Sequence, residues 1–165
     1  MAATVRINER NGEAPGTLTN GITNLNFGNI DAANLQYASY PVRRGYNSYD
    51  KWIKLEWYTG SANKLSSFKF WRSDSEGGSG AALPSGLSIV CEAGTSSDLV
   101  YATPSTNAIE ADECPNTEAG AVSVGPTELI GPGSTYYVHL QAQTTSQAST
   151  GDQPTMYFSF SYLEE

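Results

Sequence analysis

The stretch from Asp50 to Asp74, DKWIKLEWYTGSANKLSSFKFWRSD, constrains this chain more than any other. It holds all three tryptophans and reads as two β-strands joined by a short Gly/Ser/Asn turn. In the first strand Ile53, Leu55 and Trp57 fall on one face, while Trp52, Lys54, Glu56 and Tyr58 fall on the other. In the second, Phe68 and Phe70 alternate with Lys69 and Trp71. Successive side chains of a strand point to opposite faces of its sheet, so period-two alternation marks a half-buried strand. The stretch is expected to be the central hairpin of a β-sandwich. Its second face, aromatic and charged together, is a candidate contact surface.

Short alternating segments recur along the chain, and long helical periodicity is missing. Ala2 to Asn8 reads as a short edge strand with Val5 and Ile7 on one face, and Glu9 to Gly21 as a loop or flexible arm. Residues 1–21 are therefore expected as an edge strand and arm, and 22–165 as the sandwich domain. Ile22 to Ile30 reads as a strand with Leu25 and Phe27 apolar and Gly28 at a bulge. Gly86 to Glu92 turns Leu87, Ile89 and Cys91 inward, and Leu99 to Thr103 is another strand, ended by Pro104. Val122, Val124, Leu129 and Ile130 suggest one or two short strands broken by Gly-Pro pairs. Ser134 to Thr145 and Thr155 to Leu163 are the clearest long strands. The polar SQASTGDQP between them predicts that they pair antiparallel. At 165 residues the chain can bury a core without disulfides or metals. The expected fold is all-β: a single-domain antiparallel two-sheet β-sandwich, immunoglobulin-like or jelly-roll, with about 8–10 strands.

The net charge of −8 conceals an asymmetry. All nine cations lie before residue 73, against five acids there, a balance of +4; the remaining twelve acids lie beyond it. Either the two halves interleave and the charges mix, or the molecule has a basic and an acidic side suited to lattice contacts. Nucleic acid is disfavoured as a partner, since phosphate affinity needs concentrated positive charge. No apolar run approaches the roughly 18–20 residues of a membrane span, and no conventional secretory leader is visible. The protein is expected to be made in a cytoplasm and used as a soluble, folded unit.

Catalytic signatures do not emerge. The single histidine, His139, lies on the polar side of a strong strand, without the spacing of a triad or a zinc site. No GxSxG, HExxH, Walker or dinucleotide fingerprint occurs. Glu110, Asp112, Glu113 and Glu118 offer oxygen ligands for calcium, but not at EF-hand spacing, and such a run is ordinarily a solvated loop. No enzyme, metal or cofactor is expected.

Three features are left to carry function. Asp31 to Asn47 is a long connection containing Arg43-Arg44, and Tyr37, Tyr40, Tyr46 and Tyr49 make it and its flank tyrosine-rich. Long loops of this kind tend to be functional, and tyrosine suits an interface; alternatively, these rings cover one open end of the sandwich. Trp52, Tyr58 and Trp71 lie on faces that also carry lysine or arginine, so their rings, Trp52 and Trp71 foremost, are candidates for an interface or for stacking on a sugar. Otherwise they cap the core edges. Cys91 and Cys114 are a candidate disulfide that would close a loop of about two dozen residues, worth on the order of 3 kcal/mol.

KWIKLEWYTGSANKLSSFKFWRSD, VYATPSTNAIEADECPNTEAG and YYVHLQAQTTSQASTGDQPTMYFSFSYLEE, taken in order, resemble a group of small β-sandwich virion structural proteins of tailed phages. The resemblance spans Ile22 to the C-terminus. It rests on Lys-Trp before the central hairpin, a Phe-x-Phe-Trp strand, Tyr-Ala-Thr-Pro, and a Gln-Thr-Thr…Gly-Asp loop before an aromatic last strand. It implies a capsid decoration or cement-like protein located in the virion, on the capsid surface. Its partners would be the major capsid protein or other virion proteins, and itself as a homo-oligomer. No site residue is carried over. A tail, fibre or head-tail joint component is the alternative within that setting, and a carbohydrate-binding module with a glycan partner is the alternative outside it.

Overall fold

A computed structural model describes residues 2–13, 16–75, 78–96, 108–151 and 155–165. The strand expected at Leu99 to Thr103 lies outside them. Ten strands occur among the described residues: β1 (Ala3–Asn11), β2 (Thr17–Thr19), β3 (Lys51–Gly60), β4 (Leu65–Ser73), β5 (Leu87–Ala93), β6 (Val122–Ser123), β7 (Glu128–Leu129), β8 (Gly133–Ser134), β9 (Val138–Thr144) and β10 (Tyr157–Glu164). They form two antiparallel sheets packed face to face, a β-sandwich. One runs β2-β1-β3-β9-β5 with β8 also on β3, and the other runs β10-β4-β6 with β7 also on β4.

The alternation in β3 and β4 holds, but their pairing does not. The two strands lie in different sheets, and the link between them, Ser61 to Lys64, carries the chain across the sandwich. Ile53, Leu55 and Trp57 thus face Phe68 and Phe70 through the core, all five being buried. Each strand presents a run of apolar side chains on one face. Placing two such faces opposite each other across the core buries both, which a flat hairpin alone cannot do. A bulge adjusts β4: Ser67 sits at φ +56°, and the register on β10 slips between Leu163↔Ser66 and Ser161↔Lys69. The extra residue brings Leu65 and Phe68 to the same buried side.

The last two long strands are likewise separated. β9 pairs with β3 and β5, whereas β10 pairs with β4. Val138, Leu140 and Ala142 point into the core from one sheet, and Phe158 and Phe160 pack on Phe70 from the other, with ring centroids 5.9 and 4.9 Å away. Nor is the N-terminal segment an edge strand with an arm. β1 lies between β2 and β3, and its eight-residue register on β3 runs from Ala3↔Gly60 to Arg10↔Trp52. β1 and β2 therefore belong to the sandwich sheet.

Ile22 to Ile30 forms no strand, although Leu25 and Phe27 do pack on the core. Gly28 is a point of close approach: a Cβ there would stand 2.1 Å from Leu35 Cδ2 and 2.6 Å from the Tyr40 carbonyl. The backbone folds back on itself at that position, so it bonds to Tyr40 and Tyr49 instead of to a sheet.

Candidate functional site

Between β2 and β3 the chain runs from Asn20 to Asp50 without a strand, across one end of the sandwich. Three sets of polar contacts hold this segment in place. Within it, Asn34, at φ +52°, accepts from the Thr23 amide at 2.6 Å, and the Asn26 amide side chain donates to Leu35 O at 2.9 Å. Along β9, the Ser48 amide donates to Ala142 O at 2.8 Å, the Ala142 amide to Ser48 Oγ at 3.0 Å, and Thr144 Oγ1 to Tyr46 O at 2.6 Å.

The third set is a buried polar cluster. Lys51 Nζ stands 2.7 Å from Glu9 Oε1, and neither side chain has any solvent exposure. Lys51 also donates to Ala32 O at 2.6 Å. Asn11 Nδ2 bridges Glu9 at 2.8 Å and Asp31 at 2.7 Å, and Asp31 in turn accepts from the Gly12 amide. Burial pushes the Glu9 carboxyl above its ordinary range, opposed by the Lys51 ammonium and by the hydrogen bonds from Lys51 and Asn11. The cluster fastens the segment around Asp31 to β1 and β3 from inside the sandwich.

A second anchor stands where the segment enters β3. Asp50 Oδ2 accepts from Trp52 Nε1 at 2.7 Å and lies 2.5 Å from His139 Nε2. The His139 ring stacks on Trp52 with centroids 4.1 Å apart and 19° between planes. Trp52 and Tyr137 meet edge to face at 6.2 Å, Arg10 Nε donates to the Tyr137 hydroxyl at 3.0 Å, and the Lys54 ammonium lies 4.9 Å over its ring. His139 is thus built into a small aromatic and polar cluster.

No protein-family model, curated protein or solved structure matches this chain.

The structure sorts the expected contact residues into two groups. Tyr37, Tyr40 and Tyr46 are 53%, 40% and 54% exposed, Arg43 and Arg44 are exposed beside them, and Tyr49 is half-buried. Together they make a surface on the anchored segment. Trp52 and Trp71 do not join it, with only 7% and 2% of their surface exposed. Trp52 lies beneath His139 and against Tyr137; Trp71 is roofed by the loop after β4, its Nε1 donating to Gly78 O at 2.9 Å. Charged neighbours on the same strand face had suggested exposure for both. The loops and rings that cover them come from distant parts of the chain, which a strand pattern does not encode.

The candidate disulfide is also corrected. Cys91 and Cys114 are both free and buried, and Cys114 makes a side-chain hydrogen bond with Cys91. Cys114 lies on a strap that pairs with β5 through Val90↔Glu113, its amide donating to Ile89 O at 2.7 Å. Ile89 is therefore opposite Cys114, and Cys91 is diagonal to it. The bond from Cys91, together with burial, pushes the Cys114 thiol far up.

Asp112, Glu113 and Glu118 are exposed, with Glu118 accepting from Ser161 Oγ at 3.4 Å. Among the described residues no group of three or more His, Cys, Asp or Glu side chains converges on a point that could hold a metal ion. Ion pairs join Arg6 to Glu56 at 2.6 Å within the first half and Lys64 to Glu165 at 2.9 Å across the halves, so basic and acidic segments interleave here.

Proposed function

We propose that this chain is a non-enzymatic virion structural protein of a tailed phage, a decoration or cement protein that binds the outer face of a capsid shell and stabilises it. The observation that carries the reading is the exposed surface of Tyr37, Tyr40, Tyr46, Arg43 and Arg44 on a segment anchored by a buried ion pair and by β9. Tyrosine and arginine are the residue types enriched where proteins bind proteins. Because the segment is pinned at both ends, docking would order little additional chain, which keeps the entropic cost of each contact low. A contact of standard size removes roughly 800 Å² from each partner, about a tenth of this molecule's 8576 Å² surface. The resemblance to virion β-sandwich proteins agrees with a role built from repeated contacts. The carbohydrate-binding alternative rested on Trp52, Tyr58 and Trp71 as stacking platforms; Trp52 and Trp71 are buried, and the exposed Tyr58 ring carries the Arg6 guanidinium 4.7 Å from its centroid.

The test is co-sedimentation of the purified protein with preassembled capsid shells that lack it. The expected result is saturable binding and greater heat tolerance of the shells. The triple variant Tyr40→Ala, Arg43→Ala, Tyr46→Ala should fold normally, because these side chains are exposed, and should lose most of the binding. Absence of binding to shells, alongside binding to purified tails, would overturn the decoration reading in favour of a tail component.

A further inference from the structure

Behind the anchored segment the two sheets do not close against each other. A cavity of about 900 Å³ opens between the inner face of the larger sheet, the start of β10 and the irregular segment. Ile7, Ile53, Ile89 and Ala142 line it from β1, β3, β5 and β9, and Phe27 and Phe158 line it from the opposite side. Ile7, Phe27 and Phe158 pack against the core yet remain only partly buried, because they face this space. Among the described residues at its exposed rim are Tyr37, Tyr157 and Arg44.

Among the described residues the lining carries one charge. Arg44 is the only ionic side chain among the described residues around the cavity, and among those residues no carboxylate forms an ion pair with it. The volume falls within the roughly 300–1,000 Å³ of small-molecule sites, which characteristically combine apolar walls with a few placed polar groups. An apolar space of this size left empty forfeits dispersion contacts along its walls and readily accepts an apolar guest. A guest that fills the interior and meets Arg44 at the mouth carries an apolar body and an anionic end. A guanidinium is the side chain best shaped to hold a carboxylate through two parallel hydrogen bonds.

We propose that this cavity binds a single-chain alkyl carboxylate, its chain between the sheets and its carboxylate on Arg44. Tyr37 and Arg44 stand at this rim and also belong to the proposed contact surface, but the triple variant at Tyr40, Arg43 and Tyr46 spares both, so the two proposals are tested separately.

Calorimetric titration of the full chain with decanoate and dodecanoate, each below its micelle concentration, and with dodecanol below its solubility limit, tests this. One site per molecule is expected, with affinity rising about fourfold for each added methylene. Dodecanoate should bind at least about tenfold more tightly than dodecanol, as a charge-assisted bond implies. In Arg44→Ala that advantage should vanish while dodecanol binding persists; the side chain is exposed, and an unchanged melting curve would verify the fold. Leu25→Trp, which fills the space from the irregular segment, should abolish binding of both. Absence of saturable binding, or binding that survives Leu25→Trp in a folded variant, would overturn the site. Equal affinity of Arg44→Ala and the unmodified protein for dodecanoate would overturn the role of the carboxylate.

Discussion

Lys51 and Glu9 are both withdrawn completely from water, and each depends on the other. Glu9 Oε2 has no hydrogen-bond partner among the described residues, so the pair carries an uncompensated desolvation penalty on one side. Removing one member leaves a buried charge alone. Lys51→Met is expected to destabilise the protein by about 3–5 kcal/mol, while the double variant Lys51→Met, Glu9→Leu recovers much of that loss. The sign of the pH dependence follows from Glu9, whose carboxyl is raised above its ordinary value of 4.5 in the folded protein. A folded group that holds its proton more tightly than the unfolded chain loses stability as pH rises through its folded value. With the ammonium gone the carboxyl rises further, so the deficit of Lys51→Met should be smaller at about pH 5 than at about pH 8. Urea unfolding at the two pH values checks this; a deficit that grows on acidification would refute the account.

Elements in this fold are tied by distant partners more than by sequence neighbours. The strap carrying Cys114 closes over β5 through the Cys91 amide to Asp112 O at 3.0 Å and the Cys114 amide to Ile89 O at 2.7 Å. It also closes on β4, whose Arg72 amide donates to Pro115 O at 2.7 Å. Both thiols lie under it, and the raised Cys114 thiol supplies almost no thiolate, the reactive form. Modification by a thiol reagent in native buffer is therefore expected to be slow for both cysteines. Its rate should climb in step with unfolding as urea is added. Rapid labelling of one cysteine without denaturant would mean that the strap detaches from β5 independently of the rest.

On the scale of the whole molecule, the two sheets are stitched together by strands drawn from both ends of the chain. β1 supplies Val5 and Ile7 to the inner face and covers one whole edge of β3. Deleting residues 1–19 would remove β1 and β2, bare that edge and take one wall from the core. The expected outcome is loss of a cooperative thermal transition and association through the bared strand, read by circular dichroism and size-exclusion chromatography. A truncated chain melting like the full one would show that the N-terminal residues are a dispensable arm. The alternation of β3, β4, β9 and β10 was legible in the sequence, because which face of a strand is apolar is a local property. So was the all-β class. Partner choice was not legible. Period-two alternation tells which face meets the core but not which strand lies alongside, so β3 and β4 read equally well as a hairpin or as two strands facing each other across a core. The bulge at Ser67 hid the inward turn of Leu65 for the same reason. Asp50 to Asp74 by itself determined that two aromatic strands would build the core. Only the tertiary structure decided that they build it from opposite sheets, that Trp52 and Trp71 are roofed over, and that a space remains behind the irregular segment, because packing between distant segments settles each of these.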